Sequence, residues 1–176
     1  MGAFVQAAFI VFLMILYIAQ TVGCSYFASV VNSEIRPYFD EHGMQAQAKD
    51  SRQAFGYLVA SAVLSGLSVI VAPCRLFRSP KPNGEDKSGL CISACTTYIT
   101  FAAVVTVFVF ACLTAAHSWA WWKDFASEGL DHLASQCQRL AIYLIVVLVS
   151  SAVGSIVGII RNNWRHCKPT HQLGQE

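Results

Sequence analysis

The chain has 176 residues, of which 55% are hydrophobic and only 12% are charged, whereas a soluble domain carries nearer a quarter charged residues. The net charge is +2, and the basic residues are scattered near predicted helix ends, which argues against nucleic-acid binding. Every Lys, Arg, Asp and Glu lies outside four long apolar stretches, so the sequence predicts one bundle in a lipid bilayer, without a separate soluble domain.

The first apolar stretch, residues 3–23, is long enough for a helix to cross a bilayer. No Lys or Arg precedes it, and it is longer than the core of a signal peptide, so cleavage is not expected. We expect Pro37 to stop any extension of this helix, because proline pushes the residue before it away from the helical region. A polar loop follows, and Asp50 or Ser51 is expected to cap a second helix that begins before its apolar part.

The second stretch, residues 55–72, and the fourth, residues 140–160, carry small side chains at four-residue spacing. Small residues at this spacing let the backbones of two membrane helices approach closely. Because both stretches offer such a face, we expect them to pack within one bundle. The predicted helix-packing residues are Ser61, Ser65 and Gly66 in the second stretch and Ser150, Gly154 and Gly158 in the fourth.

The third stretch, residues 90–116, is the longest and ends in a cluster of tryptophans. Tryptophan is enriched where a membrane helix meets the headgroups, so Trp119, Trp121 and Trp122 are predicted to form an interface belt. A sugar- or cation-binding aromatic site is the alternative. The following segment, residues 123–139, has one loosely apolar face and is expected to form a short amphipathic helix against the bundle mouth.

Basic residues are more frequent in the connector between the second and third stretches and in the C-terminal segment than in the other two loops. The positive-inside rule then places both termini in the cytosol and two loops outside it. The predicted fold is therefore all-α, a four-transmembrane-helix bundle over residues 1–168. A polar tail, residues 169–176, is expected to be disordered.

Five of the seven cysteines fall into two groups by predicted depth. Cys24 and Cys137 both lie near the outer face, and they could form a disulfide if the first and fourth helices are neighbours. Simple free thiols are the alternative. Cysteines beside a membrane helix on the cytosolic side are candidates for acylation, and these are Cys74, Cys91 and Cys167.

The sequence offers no pattern for catalysis. It contains no CxxC motif, no nucleophile elbow and no glycine-rich phosphate loop. Glu128, Asp131 and His132 could contribute metal ligands, but their spacing misses the helical Glu-x-x-His arrangement by one residue, so solvated loop charge is the preferred interpretation. We expect no enzyme activity, no metal and no cofactor.

Four spans with cytosolic termini, a short basic connector and two outer loops resemble the MARVEL and claudin-like tetraspan membrane proteins. The resemblance is one of topology, since residues 25–54 contain no tryptophan followed by paired cysteines as in claudins. It implies a non-enzymatic role in membrane organisation or protein–protein assembly. The expected partners are the lipid bilayer and other membrane proteins or a second copy, in the plasma membrane or an endomembrane.

An oligomeric channel or small-solute transporter is the alternative function. Hydroxyl side chains within the spans could line a pore, although the spans lack charged residues and paired broken helices, which are frequent in such proteins. The pore-lining residues in that case would be Ser61, Ser65, Thr96, Thr97, Thr100 and Ser151.

Overall fold

The computed structural model describes the backbone of residues 3–74 and 87–166 and, within these, the side chains of residue 8 and of residues 11–70 and 101–153. The described residues form helices and tight turns, and no strand occurs among them. The helices are α1 (Ala3–Val30), α2 (Arg36–Glu41), α3 (Gln45–Cys74), α4 (Lys87–Ser127) and α5 (Asp131–His166). The predicted all-α fold is thus confirmed for the described part of the chain.

The first helix does not stop at Pro37, and this prediction was wrong. A π-helical turn, Val31–Ile35, joins α1 directly to α2, and the amide of Arg36 donates to the carbonyl of Val31, five residues back. Pro37 lies in the first turn of α2, where a missing amide hydrogen costs little. The wider π turn therefore carries the helical path past the proline.

The long helices form two helical hairpins. α1 and α2 turn back onto α3 through residues 42–44, and α4 turns back onto α5 through residues 128–130. α1 packs mainly along α3, and α4 mainly along α5, while α3 packs against α4 to join the hairpins. Among the described residues, α1 and α5 contact each other over a short stretch.

Two further helix boundaries differ from the prediction. α3 begins at Gln45, so Ser51 is not a cap but a helix-interior residue, 0% exposed, whose hydroxyl donates to the carbonyl of Ala48. Residues 123–139 do not form a separate amphipathic helix, because α4 runs on to Ser127 and α5 already starts at Asp131. The apolar periodicity of this segment belongs to the ends of two long helices.

Four helical segments among the described residues are long and apolar enough to cross a membrane. Their outer surfaces are apolar: Val22, Ile70, Phe101 and Val146 are each at least 60% exposed. Large apolar side chains exposed in such numbers suit a lipid solvent rather than water. The segments are Val11–Glu41, Gln45–Ile70, Phe101–Ser127 and Asp131–Val153.

The helices continue beyond their apolar stretches at one end of the bundle. α4 has 41 residues, which corresponds to about 60 Å of helix, twice the thickness of a hydrocarbon core of about 30 Å. We call this end the head and define it as residues 31–54 and 117–139. All of the charged side chains that the structure describes lie in the head.

Candidate interaction head and polar core

Aromatic rings from both hairpins hold the head together. Phe39 at the end of α2 stacks on Phe125 near the end of α4, with ring centroids 5.3 Å apart and planes inclined by 14°. Trp121, one turn earlier on α4, packs against Phe39 at 5.8 Å. All three side chains are 1% exposed, so apolar burial and ring contact together determine how the hairpins meet.

Each hairpin turn contains a glycine in the left-handed conformation, two residues after the last residue of the preceding helix, α2 or α4. Gly43 has φ of 68° and Gly129 has φ of 74°, values that other residues adopt only with strain. One backbone hydrogen bond closes each turn, as in a Schellman motif. The amide of Met44 donates to the carbonyl of Phe39 at 3.0 Å, and the amide of Leu130 donates to the carbonyl of Phe125 at 2.9 Å. The two stacked rings therefore belong to the residues that anchor the two turns.

Phe39 and Phe125 were not among the residues predicted from the sequence. A signal was present, because both turns have phenylalanine, then three residues, then glycine and a large apolar residue. This repeat, FDEHGM at residues 39–44 and FASEGL at residues 125–130, marks the same position in each hairpin. Short motifs of this kind become informative once both copies are known to end helices.

Polar side chains connect the hairpins around the aromatic core. The Tyr38 hydroxyl donates a hydrogen bond to Glu128 Oε2 at 2.6 Å. Because water screens exposed polar contacts, they orient the hairpins more than they stabilise them. Two histidine–carboxylate contacts complete the set: His117 Nδ1 lies 3.6 Å from Asp50 Oδ2, and His132 Nδ1 lies 3.7 Å from Glu34 Oε2.

Trp121 does not occupy the predicted interface belt, because it lies inside the head at 1% exposure. Its ring also stacks on His117 with centroids 5.9 Å apart. Trp119 is 48% exposed and contacts the half-buried Trp122 at 4.9 Å. The belt remains a prediction for these two residues, whose rings reach the outer surface of α4.

Tyr143 of α5 crosses to α1 in the apolar part of the bundle. Its ring lies against Gly23, where a Cβ atom would collide with two ring carbons and the hydroxyl oxygen. The Tyr143 hydroxyl donates to the backbone carbonyl of Gln20 at 3.0 Å, and Cys24 Sγ lies 3.6 Å from the same hydroxyl. Because α1 and α5 otherwise have little contact, this aromatic wedge is a principal link between them.

A small pocket, about half open to its surroundings, lies beside Gln20 between α1, α3, α4 and α5. Its volume is about 20 Å³, which is room for about one water molecule. Among the described side chains, no charged residue lines it, and its apolar walls come from α3 and α4. Its polar walls come from α1, α3 and α5 and consist of Tyr17, Gln20, Ser65, Ser68 and Ser151.

The small residues of α3 face the bundle interior. Ser61 and Ser65 are 4% and 2% exposed, and a Cβ atom on Gly66 would lie 3.8 Å from the Thr21 side chain of α1. Within the described residues α3 packs against α1 and α4. α1 provides the contact at Gly66, whereas Ser65 lines the same pocket as Ser151 of the fourth span, so the expected pairing of this small-residue face with the fourth span stays a prediction.

The small residues of α5 are described only in part. The Ser150 hydroxyl donates to the carbonyl of Val147 at 3.0 Å, within its own helix. Gly154 and Gly158 lie in the helical part of α5, beyond the residues whose side-chain surroundings are described. Their role in close helix packing stays a prediction.

Cys24 and Cys137 are both buried, at 1% and 0% exposure, and both are free thiols. The predicted disulfide is thus not formed in the structure, where Cys24 contacts the Tyr143 hydroxyl instead. The predicted acylation sites Cys74, Cys91 and Cys167 fall outside the described side chains, and so does the tail, residues 169–176.

Among the side chains that the structure describes, no three His, Cys, Asp or Glu residues come close enough to hold a metal ion. The fold and surface define the class of the protein: it is all-α, with four helices long and apolar enough to span a membrane, which is consistent with a multi-pass integral membrane protein. Comparison with protein-family models, with curated proteins and with solved structures found no match.

Proposed function

We propose that this protein is a non-enzymatic tetraspan membrane protein that acts in membrane organisation or protein–protein assembly, as in the MARVEL and claudin-like proteins that its layout resembles. The observation that carries the proposal is the head, which contains both a buried aromatic core and all of the described charges. A surface held rigid before binding loses less entropy when a partner docks. The head therefore suits recognition of another protein.

The charges on the head provide the means of selecting a partner. Its seven acidic and five basic side chains are mixed in sign, and complementary charge gives specificity and faster association more than raw affinity. Lys49 and Lys123 are both exposed, so they are available to an acidic partner. Asp40 is instead engaged by Arg36 at 3.5 Å and by Arg52 at 3.3 Å.

The membrane-embedded surface provides a second means of assembly. Its large apolar side chains can contact lipid or the helices of another membrane protein, including a second copy of this chain. In the orientation that we propose, both termini are cytosolic and the head is extracytosolic, in the plasma membrane or an endomembrane. Acylation of Cys74, Cys91 or Cys167 would then occur on the side opposite the head.

Affinity purification tests the proposal directly. The tagged protein is extracted in a gentle detergent, and its partners and oligomeric state are measured by mass spectrometry and chemical crosslinking. We expect one reproducible partner or a defined oligomer. Recovery should fall in the charge-reversed pair Lys49→Glu and Lys123→Glu and persist in the matched control Lys49→Arg and Lys123→Arg.

Two results would count against this function. A monomer that repeatedly returns no partner would contradict a role in assembly. A partner recovered equally well with both pairs of variants would remove the head as its binding surface.

An oligomeric channel or small-solute transporter is the second candidate. It is favoured by the small pocket beside Gln20, because Ser65 and Ser151, two of the predicted pore-lining residues, both line it. The volume of about 20 Å³ admits about one water molecule, so transport would require the hairpins to separate. Solute-selective flux into liposomes that is lost in Ser65→Leu would support transport over assembly.

A further inference from the structure

The charges of the head are layered along the helix axes. Five of its seven acidic side chains lie within five positions of the turn glycine of their hairpin, Gly43 or Gly129. All five basic side chains lie six to ten positions from these glycines, which is about 9–15 Å at the rise of an α-helix. The head therefore has an acidic tip and a basic base, and the base adjoins the apolar segments.

Three cations of the base have no anionic partner. Arg36 and Arg52 both contact Asp40, at 3.5 Å and 3.3 Å. The other three basic side chains of the head are exposed, and they make no ion pair among the described residues. These are Lys49, Lys123 and Arg139. The base can therefore contact an anion that the chain itself does not supply.

One of these cations lies beside an exposed aromatic pair. Trp119, Trp122 and Lys123 share a face of α4, because residues three and four apart are neighbours on a helix. Trp119 is 48% exposed, Trp122 is half-buried, and their ring centroids are 4.9 Å apart. Each indole also carries one N–H donor. This face thus combines a positive charge with two amphipathic rings at the end of an apolar segment.

The direction of α4 inclines Lys123 toward the membrane. The Cα–Cβ bonds of an α-helix tilt toward its N-terminus, and α4 runs from its apolar part into the head. Lys123 therefore leans toward Trp119 and the apolar segment. α3 and α5 run the opposite way, so Lys49 and Arg139 lean toward the acidic tip. Lys123 is the unpaired cation of the base that is directed at a lipid surface.

We propose that Lys123, Trp119 and Trp122 bind the phosphate of a phospholipid headgroup. Tryptophan is enriched where a membrane helix meets the headgroups, and lysine binds phosphate as a point charge. The acidic tip repels phosphate, so the charge layering favours contact at the base. A neutral sugar headgroup would satisfy the two rings but would leave Lys123 without an anion.

Native mass spectrometry of the purified full chain tests the proposal with two lipid probes that have the same chains. Dioleoyl phosphatidylglycerol carries a phosphate, and galactosyl dioleoylglycerol carries a neutral sugar in its place. We expect the first lipid to bind more tightly. Lys123→Gln should lower the affinity for phosphatidylglycerol about fivefold. Lys49→Gln should leave it unchanged, and it is the matched control because Lys49 is also exposed, unpaired and six positions from its turn glycine.

Three results would overturn the proposal: no binding of phosphatidylglycerol, equal binding of the two lipids, or equal effects of the two lysine variants. Tighter binding of the galactolipid would also overturn it and would assign the tryptophan pair to a sugar. The site requires the membrane setting but not the assembly role. Because no protein partner is present in this experiment, its outcome is independent of the test of that role.

Discussion

The rings of Phe39 and Phe125 stack face to face, 5.3 Å between centroids and 14° from parallel, and so join the two helical hairpins where each one turns. Neither residue lies within an apolar stretch of the sequence. This aromatic contact therefore lies in the head, outside the length that a bilayer requires.

Removing one of these rings should cost much of the stability of the head. Phe125→Ala is expected to lower the free energy of unfolding by about 3–5 kcal/mol, because it leaves a cavity beside the rings of Phe39 and Tyr38. Phe108→Ala on the same helix is the control, since Phe108 is 42% exposed and its loss should cost about 0.5 kcal/mol. Detergent-induced unfolding in mixed micelles measures both, and equal losses would contradict the structural role of the stack.

The two turn glycines should resist substitution where an exposed helical glycine does not. Gly129→Ala forces a side chain into the left-handed region at φ of 74°, at a cost of about 1–2 kcal/mol. Gly56 lies within α3, and a Cβ atom added there would meet no atom within 4 Å, so Gly56→Ala should raise stability by about 0.5–1 kcal/mol. Thermal unfolding of the two variants gives the comparison, and two stabilised variants would be inconsistent with the turn geometry.

The contact of Tyr143 with Gly23 predicts a strong coupling between these residues. Gly23→Ala should destabilise the protein by about 1–3 kcal/mol through overpacking, because the added Cβ meets the ring directly. Combining it with Tyr143→Leu should recover part of that loss in a double-mutant cycle. Gly66→Ala is the control, since its Cβ would make only an ordinary 3.8 Å contact with Thr21; additive effects at Gly23 and Tyr143 would argue against the wedge.

The two buried thiols should be protected in the folded protein. A membrane-permeant maleimide is expected to leave Cys24 and Cys137 unmodified until the chain is unfolded, because both are at most 1% exposed. Ser127→Cys, at an exposed position in the head, should react at once and serves as the positive control. Peptide mass spectrometry after alkylation without reduction reads out the state of the pair, and a linked Cys24–Cys137 peptide would show the disulfide that the structure does not contain.

The apolar stretches could be predicted from hydropathy, but the ends of the helices that contain them could not. Residues 3–23, 55–72, 90–116 and 140–160 all lie within the long helices, since an apolar stretch of membrane length has few other stable conformations. The continuation of α1 through Pro37 was missed, because a proline usually ends a helix and the compensating π turn has no simple sequence signature. The continuation of α4 and α5 through polar residues was missed for a related reason: polarity does not forbid a helix.

The residues that surround the Gln20 side chain were even harder to predict from the sequence. Gln20 was a lone amide near the end of a predicted span, and nothing in its neighbours along the chain indicated a cavity. Its surroundings come from Ser65 and Ser151, which lie 45 and 131 positions further along the chain. Contacts between residues so distant in sequence depend on how the helices are rotated about their axes, which local patterns do not determine.

The amino-acid sequence by itself determined that four segments are long and apolar enough to cross a membrane as helices and that the charges lie outside them, because burying unpaired charge and unpaired backbone in lipid is too costly. The tertiary structure alone decided which side chains meet: Phe125 on Phe39, Tyr143 on Gly23, and Trp121 inside the head rather than at its surface. Hydrophobicity selects the environment of each segment, whereas side-chain shape and helix rotation select its neighbours.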